Sequence, residues 1–171
     1  MPLSPDFKRA IFAQTTGERD VVLFTITHPR WTDTLRLSTD QTVQNGEDPE
    51  TAEPIWGTWS RGEFYRYPPI SPTVPSSSDE EAPTGSVSIS NVGNAVSPYL
   101  QIVDSTYPRV TVEVVMSSTP DIVEQCWPEL DLTQASWDQM LADITFGMDT
   151  ANREPCPWLR FVPAYFYNLT S

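Results

Sequence analysis

Catalysis near neutral pH needs a base, an activated nucleophile or a set of metal ligands, and this chain is poor in all three. His28 is its single histidine and Lys8 its single lysine. Without His28 no Ser–His or Cys–His device can be built, and His28 stands directly before Pro29, where a turn residue is the plain reading. One lysine leaves little room for Schiff-base or phosphate chemistry. Cys126 and Cys156 lie 30 residues apart. Two thiols alone cannot complete a four-ligand zinc or iron–sulfur site, so two reduced, partly buried thiols are expected rather than a disulfide. The chain carries no P-loop, no glycine-rich dinucleotide fingerprint and no HExxH. A carboxylate pair for glycoside hydrolysis could hide among the 23 acids. Eight acids and no base fall between Val110 and Thr150: Glu113, Asp121, Glu124, Glu129, Asp131, Asp138, Asp143 and Asp149. They have no EF-hand spacing, and solvated outward faces of strands account for them better than a calcium or basic-partner site. No catalytic residue, metal or cofactor is expected.

The aromatic residues are the second anomaly. Trp56, Trp59, Phe64, Tyr65 and Tyr67 arrive together, with Arg61 and Arg66 among them, and Trp158, Phe161, Tyr165 and Phe166 crowd the end. Aromatics with arginine and almost no lysine match the cores of protein interfaces; filling a small barrel is the alternative. Candidate interface residues are Trp56, Trp59, Tyr65, Tyr67, Trp158, Phe161, Tyr165 and Phe166, on segments 55–70 and 155–169 that are expected to reach out to neighbouring subunits.

The 171 residues fit one domain. A net charge of −13 argues against nucleic-acid binding and against anionic membranes. Met1 to Ala13 has no long apolar core, so no signal peptide is expected, and no stretch approaches the roughly 18 apolar residues of a membrane span. Asn168-Leu169-Thr170 then reads as a chance glycosylation match.

These residues need strands to hold them. Ser4 caps and Pro5 starts a helix carrying Phe7, Ile11 and Phe12 on one face, ended by Gly17. Strands are predicted at 21–27, 34–38, 86–90, 109–116, 130–137 and 141–148, with a weaker candidate at 122–127. Asn45-Gly46 is a turn signal. Residues 68–84, rich in Pro, Ser and acid, read as an exposed loop that cannot enter a sheet interior. A short helix is expected near 95–103 and an extended arm at 155–171. The fold class is mainly β: a barrel or sandwich-like core, a short N-terminal helix and long irregular loops.

The residues also carry a family resemblance. Ser4-Pro5-Asp6-Phe7-Lys8-Arg9-Ala10-Ile11-Phe12-Ala13-Gln14 followed by Leu23-Phe24-Thr25-Ile26-Thr27-His28-Pro29 resembles minor tail proteins of long-tailed bacteriophages. Ser86 to Val92 is similar to that family's alternating strand, and Val110 to Asp121 to its "TVxLxLVxASxPD" strand and turn. Asn152 to Pro157 with Arg160 to Phe166 is similar to its closing "NEPFP…RFTPxxFP". The likeness covers most of the chain in order; residues 55–67 and 68–84 depart from it.

The resemblance implies a non-enzymatic structural component of the virion tail tip, similar in layout to lambda-type tail-tip hub proteins and assembled in the host cytoplasm. The iron–sulfur cluster of some hub proteins needs several cysteines, so it does not carry over. The implied partners are copies of itself in a ring, with three favoured over six by analogy. Other tail proteins complete the set: the tube or distal-tail ring, and the central fibre or receptor-binding protein. The alternative is an adhesion module of the tail whose exposed Trp and Tyr residues stack on host-surface glycans.

Overall fold

The computed structural model describes residues 3–13, 17–48, 52–75, 84–90, 99, 106–138 and 140–148. The chain is mainly β, as its alternating pattern requires, with a short helix near the start. Helix α1 (Pro5–Phe12) opens on Ser4, whose Oγ accepts the Phe7 amide at 3.1 Å. It ends at Phe12, a turn and more before Gly17. Its face is narrower than its three apolar residues suggest: Phe7 is buried, while Ile11 is exposed and Phe12 is 85% exposed.

Ten strands follow. They are β1 (Asp20–Thr27), β2 (Leu35–Ser38), β3 (Val43–Glu47), β4 (Pro54–Ser60), β5 (Glu63–Arg66), β6 (Ile70–Thr73), β7 (Thr84–Ser90), β8 (Arg109–Met116), β9 (Thr119–Trp137) and β10 (Leu141–Gly147). They form one mixed sheet in the order β3-β4-β5-β2-β1-β8-β9-β10-β7-β6. Among the described residues the sheet is not closed, so their core is sandwich-like rather than a closed barrel.

Period-two alternation sends one face of this sheet inward. Val22, Phe24 and Ile26 of β1, Leu37 of β2 and Val110 and Val112 of β8 meet Val87 and Ile89 of β7 and Ile144 and Phe146 of β10 in one buried cluster. Phe24 and Phe146 stand edge to face across it, ring centroids 6.0 Å apart. β1 and β10 are separated by two strands in the sheet order, so this contact requires the sheet to roll over. Gly85 pairs with Phe146, whose ring would lie 2.6 Å from a Cβ there. Only glycine lets that ring and the Thr73 carbonyl oxygen, 2.7 Å from the same point, come so close.

β9 makes the roll. Sequence pattern breaks it into two weak strands; the structure joins them into 19 residues. Its first half pairs with β8 and its second with β10, and its register slips against both partners. Near Pro128 and Glu129 an extra residue enters opposite β8, and Glu129 takes a φ of 52°. Each bulge adds bend and twist. That lets one strand serve both layers of the sandwich.

Residues 40–75 hold the largest departures from the sequence reading. Asn45-Gly46 is not a hairpin turn: both residues lie inside β3, and Gly46 takes φ 78° where the β3–β4 register slips. Part of the proline-rich stretch is ordered as β6, paired to β7. It lies at the end of the sheet order, where Pro72 leaves no central ladder broken. The helix expected near 95–103 and the arm at 155–171 lie outside the described residues, Tyr99 excepted.

Candidate functional site

The aromatic segment is a β-hairpin. Arg61 and Gly62 both take positive φ (51° and 81°) between β4 and β5, the backbone of a two-residue primed turn. The hairpin folds back across the outer face of its own sheet. There Tyr65, only 4% exposed, packs with Val21 and Leu23 of β1 and Val115 of β8, with Val123 alongside. This corrects the expectation that Tyr65 reaches out of the fold. Gly57 makes the close approach possible, since a Cβ there would fall 1.9 Å from the Tyr65 carbonyl oxygen.

Polar contacts fix this hairpin over the sheet. The Arg61 guanidinium grips the Glu113 carboxylate with both ends of its fork, Nη1 to Oε1 at 2.9 Å and Nη2 to Oε2. The hydrogen bond and charge of Glu113 hold the guanidinium pKa above its ordinary value, against some desolvation. The Arg61 amide donates to Asp121, and the Ser60 hydroxyl donates to the Pro120 carbonyl at 2.7 Å. Tyr65 Oη and Thr25 Oγ1 lie 3.2 Å apart, as do Ser38 Oγ and Thr58 Oγ1 at 3.1 Å. Cys126 stands opposite Glu113 in the β8–β9 register. Its free thiol is exposed, not partly buried as expected. Local desolvation, then the Glu113 charge, pushes its pKa up, and Arg61 partly offsets them.

The acidic stretch is likewise not a uniformly solvated face. Glu113 is buried under Arg61. Glu124, 3% exposed, accepts from the Ser4 amide at 2.8 Å and from the Ser4 hydroxyl at 2.6 Å. The β9 bulge beside Val123 turns this carboxylate toward α1, whose N-terminus favours negative charge. Asp138 accepts the Met140 and Leu141 amides, both at 2.7 Å, and these hold its pKa below the ordinary carboxylate range. Among the described residues no group of three or more His, Cys, Asp and Glu is placed to hold a metal ion. His28 is buried and structural: Nδ1 accepts from the Arg30 amide at 3.2 Å, so Nε2 donates to the Thr106 carbonyl at 3.1 Å.

Of the other candidate interface residues, Trp59 stays on the surface at 44% exposure, leaning on Phe64 with ring centroids 5.4 Å apart. Trp56 is 38% exposed and Tyr67 half-buried; both line a cleft of about 220 Å³ with Gln41, Glu53, Arg66 and Ser90. Trp158, Phe161, Tyr165 and Phe166 lie outside the described residues. The structure thus brings Trp56 and Tyr67 together, sets Trp59 apart and buries Tyr65. Sequence reading missed Gln41 and Glu53 as neighbours of Trp56; only the β3–β4 and β4–β5 pairings place them there. It also missed exposed Trp137, Met140 and Leu141 around the β9–β10 turn. The available signal was Trp137 and Met140-Leu141 flanking the polar Asp138-Gln139 pair. No helix of the described residues is long and apolar enough to cross a membrane.

A scan against family models finds no match for this chain, and a comparison with curated proteins finds none either.

Proposed function

We propose that the chain is a structural component of a long-tailed bacteriophage tail tip, a hub-type minor tail protein without catalytic activity or cofactor. It joins the tail tube to distal receptor-binding proteins. The single observation that carries the reading, beyond the sequence resemblance, is the open sheet. Among the described residues its two outermost strands, β3 and β6, each have one ladder partner, and all five residues of β3 are exposed. Sheet edges that are not closed on themselves accept strands from another chain. A ring of identical subunits needs such a heterologous joint between one protomer and the next. Exposed Val43 on β3 and Trp59 on the neighbouring β4 supply apolar contact area at the β3 edge. Three copies are favoured over six.

The test is an averaged image of the tail tip of a phage carrying this chain, with its copy number read by quantitative mass spectrometry of purified tails. A ring of three, or of six, supports the reading. Absence from virions, or any other symmetry, overturns it.

A second reading, an adhesion module that binds host-surface glycans, is favoured by one specific observation: the Trp56 and Tyr67 cleft with its polar lining.

A further inference from the structure

We infer that the cleft beside Trp56 is a binding site for a neutral pyranose ring of an extended glycan. The inference rests on the second reading above and names its site and ligand class. A pyranose presents an apolar C–H face and a rim of hydroxyls that both donate and accept. A site for it needs an aromatic plate beside a few fixed polar groups in a small, wet concavity.

The cleft has each part. Trp56 and Tyr67 supply the aromatic surface, and more than a third of the Trp56 surface remains open to solvent. Gln41 offers an amide that donates and accepts, Ser90 a hydroxyl, Glu53 carboxylate oxygens and Arg66 guanidinium N–H groups. The Arg66 fork is already oriented, because Nη2 donates to Asp48 at 3.1 Å. The walls are preformed. The Tyr67 amide donates to the Trp56 carbonyl at 2.7 Å, and Pro54, Pro68 and Pro69 line the same space with fixed φ. Preformed walls lose little conformational freedom on binding.

Size and charge select the ligand. At about 220 Å³ the cleft lies below the roughly 300–1,000 Å³ of drug-sized sites, so it holds a single ring rather than a large cofactor. Arg66, Asp48 and Glu53 together carry a net −1 at the cleft, and the whole chain carries −13. An anionic sugar would be repelled. One aromatic wall in an open cleft binds weakly, and several copies in one assembly would supply avidity.

The full chain is screened on an array of neutral and sialylated oligosaccharides, and neutral hits are titrated by calorimetry beside maltotriose and the N-acetylglucosamine trimer. At least one neutral oligosaccharide is expected to bind. Trp56→Ala should weaken it roughly tenfold and Gln41→Ala a few-fold, while Gln134→Ala, an exposed β9 residue outside the cleft lining, leaves it unchanged. Circular dichroism verifies folding. Should Trp56→Ala unfold, Trp56→Phe and Gln41→Ala at the exposed cleft rim decide. If no glycan binds the wild-type chain, the cleft assignment and the adhesion reading both fall. If glycans bind and the folded cleft variants bind equally well, the cleft assignment alone falls. Binding confined to sialylated glycans overturns the ligand class, and capture of a proline-rich peptide with no response to sugars overturns the site's assignment to glycans.

Discussion

Along β1, Val22, Phe24 and Ile26 face one way and Val21 and Leu23 the other, and the two sides are covered by different means. The inner side meets β7, β9 and β10 in a continuous apolar cluster. The outer side meets the β4–β5 hairpin, with a cluster of only four buried apolar residues at the centre. Directed bonds surround it: Arg61 to Glu113, Ser60 to Pro120, Tyr65 to Thr25 and Ser38 to Thr58. Apolar burial is non-directional and scales with area, so it holds the inner layers together without fixing which residue sits over which. The outer cover has little area, and its position is set by hydrogen bonds that fail if displaced by an ångström or two. The inner layer therefore carries most of the stability, and the outer layer the registration of the hairpin that bears Trp56 and Trp59.

The largest effect that can test this contrast is on the inner face. Phe146 is fully buried against Phe24. Phe146→Ala should cost about 3–5 kcal/mol in urea unfolding and unfold a marginal domain outright. A cost under about 1 kcal/mol would mean that the inner cluster is not the main support. The Arg61–Glu113 pair comes next. Its glutamate is buried but the Arg61 side chain is 42% exposed, which screens the interaction. A double-mutant cycle with Arg61→Ala and Glu113→Ala should return a coupling of about 1 kcal/mol, reduced by salt. In hydrogen exchange, amides of β4 and β5 should lose protection in Glu113→Ala while those of β10 keep it. Equal loss in both would erase the distinction between the faces.

The smallest effect is local, at the β9–β10 turn. Asp138 has its pKa lowered by two backbone amides. A depressed carboxylate contributes stability in full above its unfolded value, near 3.9, and loses it as pH falls through the folded value. Protection of the Met140 and Leu141 amides should therefore persist at pH 5 and drop at still lower pH, below the ordinary carboxylate range. Asp138→Asn should flatten that profile, and an unchanged profile in the variant would assign the loss to another group.

Alternation made most of the inner layer legible. Val87 and Ile89, and Val110, Val112 and Val114, sit where period-two reading puts them, because a half-buried strand must repeat its apolar face every second residue. The helix start was legible for the same kind of local reason: the Ser4 hydroxyl accepts the Phe7 amide, and Pro5 brings no N–H that would need a partner. β3 and β5 were not legible. Val43-Gln44-Asn45-Gly46-Glu47 is exposed along its whole length, so no buried face imprints a period on it. The candidate site was readable only in part. Trp56, Trp59 and Tyr67 stand out by type, yet type alone put Tyr65 beside them on the outside, when its ring closes the outer cluster.

Composition and pattern by themselves determined a mainly β chain, strongly acidic, capped at its start and with almost no imidazole or lysine chemistry. These properties depend on residues close in sequence or on simple sums. Tertiary structure decided the rest. It joined two weak strands into β9 and bent them, so that one strand serves both layers. It drew Glu124 to Ser4 across 120 residues and Glu113 to Arg61 across 52, turning two acids of an apparently solvated run into buried clasps. It placed Gln41, Glu53, Trp56 and Ser90 around one cleft. A local pattern records which face of an element is buried, but partners distant along the chain are chosen by how the sheet rolls, and that roll is set by bulges and glycines whose consequences appear only when the strands are paired.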